Sequence, residues 1–194
     1  PARRKLFSEL FPLNRIAAKP VDFFELPYPS ILYIDYPSAK LLSLFNLDDE
    51  RKEYPISFKR LGLLGRHIIV NAWEKRAIGI FEDKYIETCL LPHSVEVYLI
   101  KKITDVPQFI YMDNNLFLGA DMVKSVYEDN SLKITLDGKA KECKLKNAFI
   151  FVPNGYDCDM EVVANYEEGS LCKTNAPLSE GENTFKFRKD SVEL

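Results

Sequence analysis

The sequence predicts an all-β chain: two tandem antiparallel β-sandwich domains preceded by a short helical or irregular lead-in. Three observations carry this. Short runs rich in Val, Ile, Leu, Tyr and Phe recur along the chain. Turn-forming residues separate them at intervals of about 8–12 residues, the spacing of sandwich strands. Several runs alternate apolar and polar residues with a period of two, so one face is suited to a core and the other to water. Of the 194 residues, 46% are hydrophobic and 28% are charged. That composition excludes disordered and low-complexity classes.

Residues 1–30 form the lead-in. Lys5, Leu6, Phe7, Leu10 and Phe11 have helix-like spacing, which Pro12 stops. Pro20, Pro27 and Pro29 then make regular structure unfavourable. The segment is too rich in Leu, Phe and Pro for a flexible linker.

The first domain is expected over residues 31–103. Its strands are Ile31–Ile34, Lys40–Asn46, Arg66–Trp73, Tyr85–Leu90 and Val95–Ile100. Val95, Val97 and Leu99 share one face of the last. Pro37-Ser38, Asp48-Asp49-Glu50, Gly62 to Gly65, Glu82-Asp83 and Pro92-His93-Ser94 supply the turns. The boundary is expected at Lys102 to Asp105, where the polar pairs Lys101-Lys102 and Thr104-Asp105 interrupt the pattern.

The second domain is expected over residues 104–194. Leu132, Ile134 and Leu136 alternate with Lys133, Thr135 and Asp137, and Asp137-Gly138 is a hairpin signal. Ala148–Val152 reads as a central strand that ends at Pro153-Asn154-Gly155. Cys158, Met160, Val162 and Ala164 are expected on one face of a strand. Asp157 and Asp159 are expected on the other, solvated face. Phe185 and Phe187 belong to the final strand.

The residues offer little catalytic chemistry. The two histidines, His67 at a strand start and His93 in a turn, read as an edge and a turn histidine rather than as the base of a nucleophile–base pair. The carboxylate groups Asp48-Asp49-Glu50, Glu82-Asp83 and Asp157/Asp159 read as turn residues or solvated faces. No C-x-x-C pair, phosphate-binding glycine loop or calcium-loop pattern is present. The reading therefore assigns no catalytic residue, no metal site and no cofactor. Cys89, Cys143, Cys158 and Cys172 could form two disulfides, but in a chain this long they need not, and they read as free, mostly buried thiols. Lys139, Lys141, Lys144 and Lys146 read as a solvated face. A net charge of −3 gives no electrostatic reason for a nucleic-acid or anionic-membrane partner. No apolar run approaches the roughly 20 residues of a membrane-spanning helix. The chain starts at Pro1, which suggests a fragment or processed product and leaves the compartment open. Trp73 and Tyr156 remain as aromatic contacts for carbohydrate or for an interface.

Several stretches resemble the C-terminal part of melibiase-type, α-galactosidase-like glycoside hydrolases. Leu10-Phe11-Pro12-Leu13-Asn14-Arg15 through Glu25 resembles the segment leaving the catalytic barrel in that family. Leu44-Phe45-Asn46, followed by Asp48, Asp49 and Glu50, is similar to the opening of its C-terminal β-domain. Leu61-Gly62-Leu63, Val70 and Trp73 resemble its middle, where Asn71-Ala72-Trp73 stands in place of a frequent Asp-x-Trp. Leu91-Pro92-His93-Ser94-Val95 resembles the turn before its last strand. Phe117–Met122 and Ile150–Tyr156 resemble an extra β-domain of some members.

This resemblance implies a chain without the barrel and without its two catalytic aspartates. It would be an accessory, structural region whose partner is the parent enzyme's barrel, with residues 1–30 covering barrel surface. A stand-alone carbohydrate-binding module is the alternative. An unfamiliar site built from Asp157, Asp159 and His93 is the weakest reading.

Overall fold

A computed structural model describes residues 16–83, 85–113, 117–120, 123–136 and 146–189. The helix-like run at Lys5–Phe11, the Asp137-Gly138 turn, Cys143, Lys139, Lys141, Lys144, Asp121 and Met122 lie outside these residues. The described chain is all-β. Its strands pair antiparallel throughout, and its single helical element is a 3₁₀ turn at Phe58–Leu61. Among the described residues, those from Ile16 to Lys102 form one compact unit and those from Ile103 onward form another.

In the first unit the strands are β1 (Lys19–Pro20), β2 (Ile31–Tyr36), β3 (Ala39–Asn46), β4 (Lys52–Ser57), β5 (Arg66–Asn71), β6 (Arg76–Glu82), β7 (Tyr85–Leu90) and β8 (Ser94–Lys102). Six build one sheet in the order β1-β2-β3-β8-β5-β6, while β4 and β7 form a separate ribbon. Period-two alternation explains the core. Leu42 and Leu44 of β3 fall on one face with Tyr98 and Ile100 of β8 and Ile69 of β5. There they pack with Tyr54 and Ile56 of β4, Leu90 of β7, and Phe58 and Leu61 of the 3₁₀ turn. Each large aliphatic chain buried here contributes about 1.5–3 kcal/mol.

Val97 and Leu99 share the opposite face of β8, as expected, but that face is buried too. Both sides of β8 are therefore shielded, and the same face holds Lys101. Its burial pushes the ammonium pKa down to about 8.

The second unit contains β9 (Gln108–Met112), β10 (Val123–Glu128), β11 (Ser131–Leu136), β12 (Ala148–Pro153), β13 (Tyr156–Asp157), β14 (Glu161–Tyr166), β15 (Gly169–Lys173), β16 (Glu182–Lys186) and β17 (Arg188–Lys189). A four-stranded sheet runs β14-β15-β12-β9, a three-stranded sheet runs β10-β11-β16, and β13 pairs β17. Leu132, Ile134 and Leu136 share one core with Phe109, Met112, Ile150, Val152 and Cys172.

Three sequence expectations need correction. First, 158–160 is not strand: β13 ends at Asp157 and β14 starts at Glu161. Asp157 and Asp159 therefore do not share a strand face. Second, a register shift between Val162 and Ala164 breaks the alternation, and Val162 and Val163 are both exposed. Third, the lead-in is not wholly irregular, because Lys19 and Pro20 pair with Tyr33 and Leu32. Proline is tolerated there because β1 is an edge strand.

Candidate functional site

The lead-in makes the most distinctive surface among the described residues. Asp22 is buried and anchors it. Its Oδ2 accepts from the Ser30 backbone N–H at 2.9 Å and from the Ser30 hydroxyl at 2.7 Å. Its Oδ1 accepts from the Ile31 N–H at 3.1 Å. Burial alone would raise the Asp22 pKa, but these hydrogen bonds outweigh it and hold the carboxyl below the usual aspartate value. The Val21 N–H donates to the Ile31 carbonyl at 2.8 Å. Arg60 from the 3₁₀ turn donates to Glu25 at 2.5 Å and also reaches the Val21 carbonyl.

The segment between these anchors turns its apolar side chains outward. Phe24 is 97% exposed, Tyr28 73% and Phe23 57%. The two phenylalanine rings meet edge to face, with centroids 5.1 Å apart. A cluster of large exposed aromatics on one short segment is the kind of surface that a partner covers. Nothing in the sequence showed that a buried aspartate eight residues before Ser30 would close the segment.

A second feature is a groove of about 320 Å³ along the β4–β7 ribbon. Glu53, Pro55, Glu87 and Cys89 line its outward side, with Tyr54 and Thr88 behind them. It offers hydrogen-bond acceptors and an exposed thiol, with no histidine among its lining residues to serve as a base. Sequence reading missed it because Pro55 disguises β4 as a loop, and Cys89 was expected to be buried.

The residues singled out in the sequence do not converge on one place. Trp73 and Tyr156 fall in different units. The half-buried Trp73 donates its indole N–H to the Val95 carbonyl at 3.1 Å. Tyr156 is half-buried, with its ring edge to face against Tyr127 at 5.9 Å. His93 is likewise in the other unit from Asp157 and Asp159. Its Nε2 lies 2.8 Å from Asp49 Oδ1 on the surface. Asp157 accepts from the Cys158 N–H, and the Asp159 carbonyl accepts from Asn175. Asp48 pairs with Lys52, and Asp83 accepts from the Gly65 N–H. His67 is buried, its Nδ1 lies 2.8 Å from the Gly65 carbonyl, and its ring meets Phe58 edge to face. Burial holds the imidazole below its ordinary pKa, opposed by the hydrogen bond to Gly65. Among the described residues, no group of three or more His, Cys, Asp or Glu could hold a metal ion.

The stretches that carry the family resemblance have structural work. Asn46, fully buried, donates to the carbonyls of Glu50, Leu90 and Leu91 and accepts from the Asp48 N–H. It ties the end of β3 to the start of the ribbon and to the turn before β8. Asn71 Oδ1 accepts from the Trp73 and Glu74 N–H groups at 2.9 and 3.0 Å, while its amide donates to Glu96. An aspartate could make the same turn, but not the bond to Glu96. His93 takes a positive φ of 50° in the turn that opens β8.

No family profile matches the sequence, and no curated protein does. Among solved structures the chain is similar to a GH27 β-L-arabinopyranosidase from Geobacillus stearothermophilus in complex with arabinose. The match has 18% identity and a TM-score of 0.38, covering 45% of this chain and 20% of that one. It is also similar to an isomalto-dextranase from Arthrobacter globiformis T6 complexed with panose. There the identity is 14% and the TM-score 0.35, covering 84% of this chain and 34% of that one. The chain thus resembles parts of glycoside hydrolases and spans about a fifth and about a third of their lengths.

Proposed function

We propose that this chain is a non-catalytic accessory region of an α-galactosidase-like glycoside hydrolase. In this reading it comprises two β-sandwich units that brace a catalytic barrel carried elsewhere in the parent protein. The exposed aromatics Phe23, Phe24 and Tyr28, on a segment whose ends Asp22 ties together, carry the reading. Exposed aromatics cost solubility unless a partner covers them, and the three hydrogen bonds that the buried Asp22 carboxylate accepts close the base of the segment that carries them. The barrel's outer surface is the proposed occupant. The motif stretches that resemble the family's C-terminal domain support the same reading. Asn46 and Asn71 serve strand joints rather than chemistry, as a bracing domain requires.

The test uses the parent protein expressed from its natural coding sequence. The expected parent has a barrel upstream of Pro1 and unfolds in one calorimetric transition. Phe23→Ser with Phe24→Ser splits that transition in two, while the isolated chain melts as before and hydrolyses no aryl α-galactoside. A start codon directly before Pro1, or turnover by the isolated chain, overturns the proposal. Binding of galactose-containing oligosaccharides to the isolated chain, lost on Phe24→Ser, would assign the row to sugar instead.

A further inference from the structure

Cys158 and Cys172 lie with their Sγ atoms 3.8 Å apart. The two positions differ. Cys172 sits in β15, laddered between Ile150 of β12 and Val162 of β14, and is 1% exposed. Cys158 is half-buried in the non-ladder stretch between Asp157 and Glu161. One sulfur is fixed and the other is carried by chain outside the sheet. Closing to bonding distance takes about 2 Å of travel, and segment 158–160 can supply it without breaking a strand pair.

We propose that Cys158 and Cys172 form a reversible intramolecular disulfide that clips the open end of the β14–β15 hairpin. β14 is the outer strand of its four-stranded sheet, and its ladder to β15 is disturbed near Val162. The link would therefore pin a strand that has a partner on one side only. It closes a loop of about 15 residues, a length for which a cross-link removes substantial freedom from the unfolded chain.

The oxidant is a low-molecular-weight disulfide such as oxidised glutathione. The Cys158 thiolate attacks one glutathione sulfur, forming a mixed disulfide and expelling one glutathione thiolate. Cys172 then loses its proton and attacks the Cys158 sulfur, expelling the second. Two protein thiols are oxidised and one glutathione disulfide is reduced to two thiols. Exposure sets the order, since Cys158 is the sulfur that solvent reaches. Burial raises both thiols, Cys172 to about 12. Asp157 and Asp159 add to the rise at Cys158. The reduced pair therefore resists casual oxidation, and the second step is the slower one.

The experiment uses the full chain with Cys89→Ser and Cys143→Ser, so that only this pair remains, incubated with oxidised glutathione and then acid-quenched. Expected are loss of both thiols, a Cys158–Cys172 cross-linked peptide after proteolysis, and no retained glutathione. Amide exchange across Glu161–Tyr166 should slow, and Tm should rise by roughly 10 °C. Dithiothreitol should reverse all of these, and Cys158→Ser should abolish them. If the serine background misfolds, peptide mapping of the wild-type chain gives the same decision. Persistence of both thiols, a stable glutathione adduct on Cys158, or cross-linked dimers overturns the proposal.

Discussion

Ser30 donates twice to one oxygen of the Asp22 carboxylate, from its backbone N–H at 2.9 Å and from its hydroxyl at 2.7 Å. That pair closes the base of the exposed aromatic segment. Asp22→Ala leaves the buried Ser30 and Ile31 donors without this acceptor and should cost about 2–3 kcal/mol. The effect is pH-dependent. The folded carboxyl lies below the ordinary value of 3.8, so its contribution is fully present above that value and is lost as pH falls through the folded pKa. Urea titrations should show the gap between wild type and Asp22→Asn constant near neutrality and shrinking below about pH 4.

Asn46 presents its amide to three carbonyl oxygens, at 2.7, 3.2 and 2.9 Å. Asn46→Asp has nearly the same shape but offers no donor at neutral pH and adds a buried charge facing oxygen lone pairs. It should destabilise by about 3 kcal/mol or more, and by more than Asn46→Ala. Chemical denaturation of both variants tests the ordering. Equal losses would mean that packing, not the donors, is what matters.

Gly169 opens β15 at φ 155°, and a β-carbon there would stand 2.3 Å from the Val152 carbonyl oxygen and 2.7 Å from the Pro153 Cα. Both are backbone atoms of the paired strand and cannot swing away. Gly169→Ala should cost about 2–4 kcal/mol. Gly155→Ala, with open space around it but a φ of 83°, should cost about 1 kcal/mol. A thermal-melt comparison in which Gly155→Ala is the worse variant would refute the steric account.

Burial lowers the pKa of His67 below the ordinary 6.5. As pH falls, the unfolded chain takes up this proton more readily than the folded chain. The resulting stabilisation is present above 6.5 and declines as pH falls below it. His67→Gln removes the titration. Between about pH 7.5 and about pH 5.5 the wild type should lose stability relative to this variant. A difference that does not change over that interval would show that His67 titrates normally.

Phe24 is almost fully exposed, so Phe24→Ser should change the isolated chain's stability by no more than about 0.5 kcal/mol. Its effect belongs to association. Sedimentation at high protein concentration should show less self-association for the Phe23→Ser, Phe24→Ser chain than for wild type, because the uncovered apolar row is removed. A large loss of stability would instead make the row part of the fold's own packing.

Much of the strand content was legible because alternation is a local property. Leu132, Ile134 and Leu136 point inward as their spacing requires, and the Pro37-Ser38 and Pro92–Ser94 turns fall where their residue types demand. β4 was hidden by Pro55, and β6 by Gly79. The hairpin turn at Asp129-Asn130 was also missed, although two Asx residues are a signal for the paired positive φ values of 49° and 55° seen there.

By itself the sequence determined the all-β class and the apolar character of the lead-in. Each follows from residue type and from a period of two. Tertiary structure alone decided the rest. It brought Asp22 to Ser30 and Ile31, Asn46 to Leu90 and Leu91, and Cys158 to Cys172. It also buried both faces of β8 and turned Phe23, Phe24 and Tyr28 outward. Those outcomes depend on which strands become neighbours in a sheet, and that is set by contacts between residues far apart in the chain, which a local pattern does not encode.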